Sequence, residues 1–367
     1  MRSRLAPAGL AITLPWLGIS GLYAPAVLAE PTHSLSAGVW ANYRYVRDDD
    51  RDEESWGDIA DEALILYADG HAGDDGHWSY SAELRIGPGS FTDPANNSTG
   101  DSYALHKAWV GWQVHDTTTL RFGKSQVPFG WKTVNFWPGD ILLAGYGDQM
   151  DVGVKLSSST GPWRYDLAYY HADDWGERST DTVDDNGHWG SSNTFRKVQT
   201  LVANGAFEFA QGQRLAVSVQ TGQLQDLSNP ATVDAVDGDH LGYVLWYHGQ
   251  FGDAYAKLAY IGMERELPTA YRESAGLPQR IENTRLAAEL GYRSGDWFFY
   301  LDASLAEPDT AGNSADRVSA YAPGLSYHYG PGWIYVEMLS QDGFVDRDGQ
   351  IGEGDFDALY LSVDFYL

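Results

Sequence analysis

From residue 34 onward the chain alternates apolar and polar side chains with a period of two and scarcely stops. Leu35, Ala37, Val39, Ala41, Tyr43 and Tyr45 share one face, while Ser36, Gly38, Asn42 and Arg44 share the other. WSYSAELRI sets Trp78, Tyr80, Ala82, Leu84 and Ile86 against Ser79, Ser81, Glu83 and Arg85. The chain closes on ALYLSVDFYL, with Leu359, Leu361, Val363, Phe365 and Leu367 on one side. Side chains alternate across a strand, so each such stretch reads as a β-strand with one apolar face. The pattern predicts about sixteen strands, near 34–46, 59–69, 76–87, 101–114, 117–126, 148–158, 162–172 and 196–210, then 213–224, 240–250, 253–263, 282–294, 296–306, 316–330, 332–341 and 355–367.

The connections alternate between long and short. Long ones include RDDDRDEESWGD, ADDWGERSTDTVDDNGHWGSSNT and QDGFVDRDGQIGEG; short ones include His115-Asp116, Ala210-Gln211-Gly212-Gln213, Ser294-Gly295-Asp296 and Gly330-Pro331-Gly332. Gly, Asn and Asp in the short links suit tight hairpin turns. Short turns at one end, long loops at the other, an even strand number and apolar outer faces characterise a transmembrane barrel, which leaves no sheet edge to face lipid. Trp and Tyr gather near strand ends, as in interfacial girdles. The expected fold is all-β, a 16-stranded antiparallel transmembrane β-barrel in one domain. A secreted sandwich, β-helix or propeller is the soluble alternative, and it leaves the apolar outward faces unexplained.

One stretch breaks the alternation. After the strand ending near Gln126, Pro128 removes a backbone donor, and Phe129, Trp131, Phe136, Trp137, Ile141, Leu142, Leu143 and Tyr146 follow. So much apolar surface has to pack against something. The expectation is a loop over 126–148 that folds into the barrel and forms a constriction.

At the N-terminus, Arg2 and Arg4 precede an apolar run that ends in Val27-Leu28-Ala29. This reads as a signal peptide over 1–29, cleaved after Ala29, with the barrel over 30–367. Pro7, Pro15 and Pro25 interrupt the run and argue against the alternative, a helical membrane anchor. The formal charge is -27, and removal of Arg2 and Arg4 leaves 22 basic and 51 acidic residues, a charge of −29. Such acidity argues against nucleic acid as a partner. The absence of cysteine excludes disulfides and thiolate metal sites.

With the apolar faces turned to lipid, Arg44, Arg85, Lys107, Arg121, Lys155 and Arg164 face the lumen on early strands. Asp151 and Asp166 lie among them, and Glu208, Glu289, Asp302, Glu337 and Asp364 come from later strands. Sixteen strands leave room for an aqueous channel, whose lining charges set selectivity. Arg44, Arg85, Lys107, Arg121, Lys124, Lys132 and Lys155 are candidates for the basic side of the pore and constriction, and Asp140, Asp148 and Asp151 for the opposing acids. Most of the net acidity falls in the long loops, where it would gather cations or bridge through divalent ions to lipopolysaccharide. The loop DGFVDRDGQIGEGDFD carries partial calcium-loop spacing at Asp346, Asp348 and Asp355, with Phe344 where the first carboxylate belongs. No other cofactor is indicated. The ten histidines lack helical metal spacing and no G-x-S-x-G elbow is present, so an enzyme is not expected.

The segment Arg121-Phe-Gly-Lys-Ser-Gln-Val-Pro-Phe-Gly130 resembles the R-x-G-K-x-x-x-P-F-G signature of the phosphate-selective porin O and P family of Gram-negative outer membranes. The resemblance implies a homotrimer, a pore constricted by the loop after the fifth strand, and arginines that guide anions. It carries over to Arg121, Gly123, Lys124, Pro128, Phe129 and Gly130. The expected function is passive diffusion of ions and small hydrophilic solutes across the outer membrane. A non-conducting interaction barrel and a barrel hydrolase are the alternatives.

Overall fold

In the computed structural model, sixteen antiparallel strands close into a single barrel. The structure describes residues 33–73, 76–92, 102–138, 149–178, 192–229, 235–310, 313 and 315–367. The expected signal over 1–29 lies outside these residues, as do Asp140 and Asp148. The strands are β1 (His33–Val46), β2 (Asp58–Ala72), β3 (Trp78–Ile86), β4 (Tyr103–His115), β5 (Thr118–Gln126), β6 (Met150–Thr160), β7 (Trp163–Ala172) and β8 (Phe195–Ala210). They continue as β9 (Gln213–Asp226), β10 (Val236–Phe251), β11 (Ala254–Glu266), β12 (Arg280–Ser294), β13 (Trp297–Pro308), β14 (Val318–His328), β15 (Trp333–Val345) and β16 (Ile351–Tyr366). Two short helices, α1 (Asp50–Ser55) and α2 (Thr269–Ala275), lie in the β1–β2 and β11–β12 connections.

Every strand pairs with its sequence neighbours, and β1 closes the ring on β16 from Gly38↔Tyr366 to Val46↔Ala358. The short turns are possible because residues such as Gly212 and Gly252 adopt φ values of +71° and +65°, where a Cβ is disfavoured. The expected alternation is visible in β10, where Leu241, Tyr243 and Leu245 are exposed while His240, Gly242, Val244 and Trp246 are buried. Near the short-turn end, Trp78 stacks on Trp112 and Trp297 lies 4.7 Å from Tyr327, the start of an aromatic belt.

The strand ranges read from the alternation hold to within four residues. The last outer connection does not. A long acidic loop was expected there, yet only 346–350 separates β15 from β16. Asp342 therefore lies on β15, and Glu353, Asp355 and Asp357 lie on β16. The reason is compositional. The pairs Phe344↔Gly352 and Gly343↔Glu353 extend the hairpin through glycine and polar residues, which carry no apolar period to read.

The apolar loop has found its partner surface. Val127, Phe129 and Trp131 are buried in a cluster with Val202, Ala216, Val244, Trp246, Ala259 and Ile261, from β8 to β11. Burying side chains of this size contributes about 1.5–3 kcal/mol each, which holds a segment that has no strand partner.

Candidate functional site

The segment that follows β5 is held by side chains from one wall strand after another. The Gly130 N–H donates to Ser218 Oγ of β9 at 3.2 Å. Lys257 Nζ of β11 donates to the Lys132 carbonyl at 2.9 Å and pairs with Glu289 of β12 at 2.7 Å. Glu289 in turn accepts from the Val134 N–H at 3.0 Å. The Asn135 amide donates to Asp302 of β13. Glu337 of β15 accepts from the Phe136 N–H at 2.8 Å, the Trp137 N–H at 3.1 Å and the Tyr300 hydroxyl at 2.6 Å. Phe136 then stacks on Tyr335 at 4.8 Å and meets Trp40 of β1 edge-on at 5.7 Å. Residues 127–138 thus follow the wall from β9 to β1, and buried carboxylates take up their backbone donors. A non-strand segment inside a barrel has to satisfy its N–H groups in some such way.

The motif Arg121–Gly130 acquires a physical meaning residue by residue. Arg121 lies 5.0 Å over the ring of Trp109 and donates to Ser157 Oγ at 3.1 Å. Gly123 sits opposite Trp109 with φ +115°, and a Cβ there would stand 2.3 Å from the Ala108 carbonyl oxygen. Lys124 pairs with Asp174 at 2.6 Å, side chains 0% and 2% exposed. Pro128 ends the ladder, Phe129 enters the apolar cluster, and Gly130 turns at φ +66° toward Ser218. Gly123→Ala is expected to cost at least the 1–3 kcal/mol of a left-handed non-glycine residue, because the carbonyl it strikes is backbone and cannot rotate away. The check is the urea midpoint of the folded barrel; an unchanged midpoint would contradict this reading.

The residues expected to line the pore divide into groups. Arg44, Lys107 and Arg121 are half-buried on the wall and Lys132 is exposed on the loop. Lys107 stands 3.8 Å from Glu83. Arg85, Lys124, Asp151 and Lys155 are buried and cannot line a water-filled path. Arg85 bonds Glu83 at 2.8 Å and lies over Trp40, Lys155 donates to the Gln126 carbonyl, and Asp151 faces Lys197 at 3.6 Å. The burial comes from partners that strand periodicity alone cannot reveal: neighbouring wall residues for Arg85, Asp151 and Lys155, and Asp174 after β7 for Lys124. Asp140 and Asp148 remain outside the described residues.

The calcium spacing does not produce a calcium loop. Asp346 closes the 346–350 turn by accepting from the Gln350 N–H, Asp348 bonds Tyr271, and Asp355 lies along β16. Among the described residues no three His, Asp or Glu side chains converge on a metal position. Sequence reading had placed Glu289, Asp302 and Glu337 in the lumen but missed their role as loop anchors. An isolated carboxylate on an inward face, opposite a loop with no strand partner, is the signal that could have found it.

Residues 34–225 match the family described as phosphate-selective porin O and P, which is more than half of the chain. A search of curated proteins found no match. Similar solved structures share the fold at low identity. OmpT, an outer membrane protein of Vibrio cholerae, has a TM-score of 0.63 and 12% identity, covering 92% of this chain and 98% of that one. The anion-selective porin from Comamonas acidovorans has a TM-score of 0.59 and 10% identity, covering 92% and 100%. The outer membrane channel DcaP of Acinetobacter baumannii has a TM-score of 0.55 and 14% identity, covering 94% and 100%. Motif, ring topology and family match agree: the chain belongs to the phosphate-selective porin O and P family, outer-membrane porins through which small solutes diffuse passively.

Proposed function

We propose that solutes pass along the β1–β7 side of the barrel, that the 126–148 loop sets the constriction, and that the path favours small anions. One observation carries this reading. Glu289, Asp302 and Glu337, the acids of the far wall, are buried against residues 134–137, while Arg44, Lys107, Arg121 and Lys132 stay half-buried or exposed. Of the acids nearby, Glu83 is buried against Arg85, Asp166 on β7 accepts from Asn204, Glu208 on β8 pairs with Arg214, and Asp61, beside Arg44, and Asp69 stay half-buried on β2. In this reading the charge that meets a passing ion is basic, although the whole chain carries -27. Lining charges within a Debye length of about 8 Å decide selectivity, and the remote acidic rim is screened.

In this reading residues 1–29 act as the export signal, the acidic outer segments face lipopolysaccharide, and no catalytic step is assigned. The apolar outer face serves lipid on one side and a neighbouring subunit on the other, giving a homotrimer. The test is planar-bilayer recording of purified protein that runs as a heat-dissociable trimer on gels. Ion-conducting steps with an anion-preferring reversal potential in a KCl gradient are expected. Folded trimer that conducts nothing would refute the channel, and a cation-preferring potential would refute the basic path.

A further inference from the structure

A second crossing lies at the long-loop end of the barrel. Around the sixteen-strand ring, β8 stands seven steps from β15 and eight from β16, about half the circumference. Tyr271 of α2 reaches toward both. Its ring lies 5.8 Å from Phe195 at the start of β8, and its hydroxyl donates to Asp348 at 2.9 Å. Asp348 belongs to the turn that joins β15 and β16. Two wall residues hold the backbone of that turn. Asn283 Nδ2 of β12 donates to the Gly349 carbonyl at 2.7 Å, and Arg265 Nη1 of β11 donates to the Arg347 carbonyl. Arg265 also lies 5.5 Å over Phe195. Both Arg265 and Asn283 are buried, and Val345 and Ile351 at the foot of the turn are buried too. No single contact spans half the ring, but the turn, α2 and the two wall side chains together link β8 to the β15–β16 hairpin on the inner side of the mouth.

We propose that this bridge of Tyr271, Arg265, Asn283 and the 346–350 turn is a partition across the outer mouth. It limits solute size and leaves entry to the β1–β7 side, where the basic residues lie. The inference rests on the channel reading above and adds to it the place of entry. Its bonds are directional: each wall donor meets a carbonyl or carboxylate of the turn, so the turn is fixed rather than merely resting on the opening.

The bridge also has a pH sense. Burial raises Asp348 above the usual carboxylate range, and Asp346 adds to this, against the Tyr271 hydroxyl, Arg265 and Arg347. The bridged state therefore binds a proton more tightly than the open one, so the bridge tightens as pH falls through the raised value.

The paired substitutions Tyr271→Phe and Asn283→Ala test the partition, with heat-modifiability confirming a folded barrel. Conductance is expected to rise and the neutral-polymer size limit to increase, with the anion-to-cation ratio unchanged. A folded variant with wild-type conductance and size limit would overturn the partition. Because the chain has no cysteine, Tyr271→Cys with Asp348→Cys can be joined by a short bis-maleimide in intact outer membranes. Joining with conductance retained supports the bridge as the resting state, and failure to join overturns it. Wild-type protein that folds but conducts nothing would instead strike the channel reading.

Discussion

Replacing Lys107 and Arg121 together with glutamate is expected to convert the proposed anion-preferring path into a cation-preferring one. Both side chains are half-buried on the inner wall, on adjacent strands, and neither is neutralised by a tight pair. Lys107 stands 3.8 Å from Glu83, which Arg85 already holds at 2.8 Å, and Arg121 lies over the uncharged Trp109 ring. A unit charge about 4 Å from a passing ion is worth about 1 kcal/mol in bulk water and about 4 kcal/mol near a protein surface. Reversing two charges therefore moves the barrier for an anion by about 4 kcal/mol even at the bulk-water value, a change of roughly a hundred- to a thousand-fold in the permeability ratio. The reversal potential in a KCl gradient should change sign, with the doubly glutamine-substituted protein between the two. The effect should fade in concentrated salt, where screening shortens to about 3 Å. An unchanged reversal potential in the folded variant would mean that the path does not run along this wall.

The barrel was readable because its constraint is local and repeated. Leu359, Leu361, Val363 and Phe365 are exposed while Ala358, Tyr360, Ser362 and Asp364 are buried, as period-two alternation requires of a wall between lipid and lumen. The reading weakened where that solvent boundary ends. At Asp342–Asp357 Val345 and Ile351 turn inward and are buried, glycine and acids replace most of the outer apolar face, and a strand extension looked like a loop.

The site was only half readable, for a different reason. Alternation correctly placed Arg121 on the inner face, but it has no knowledge of what later folds over that face. Lys124 looked like a pore lysine, yet Asp174, fifty residues on, buries it in an ion pair. Lys155 likewise ends on the Gln126 carbonyl, and Arg85 is buried against Glu83 and Trp40. The bridge at the mouth was hidden for the same reason. Tyr271, Asn283 and Asp348 are unremarkable in sequence, and only closure of the ring brings their strands together. The calcium-like spacing drew attention to the right turn for the wrong chemistry, since the turn's carboxylates meet a phenol and a backbone N–H.

Glu337→Leu is expected to release residues 135–138 from the wall while the barrel stays folded. This carboxylate accepts from two consecutive loop N–H groups, Phe136 and Trp137, and from the Tyr300 hydroxyl. Leucine fills much of the same volume but accepts nothing, so two backbone donors are left buried without a partner. Each costs about 1–3 kcal/mol, and the loop can avoid that cost by swinging out into lumen water. Glu289 still holds Val134 and Phe129 remains in the apolar cluster, so the loop should detach from residue 135 onward and not unfold wholly. The measurable consequence is a noisy, fluctuating single-channel current with a shifted mean, on a barrel of ordinary heat stability. Glu337→Gln keeps one carbonyl acceptor and should fall between wild type and leucine. Loop release would also uncover Asp302, whose partner Asn135 leaves with the loop, so anion preference should drop along with the steadiness of the current. A quiet current of wild-type size and selectivity from Glu337→Leu would show that the carboxylate does not anchor the loop.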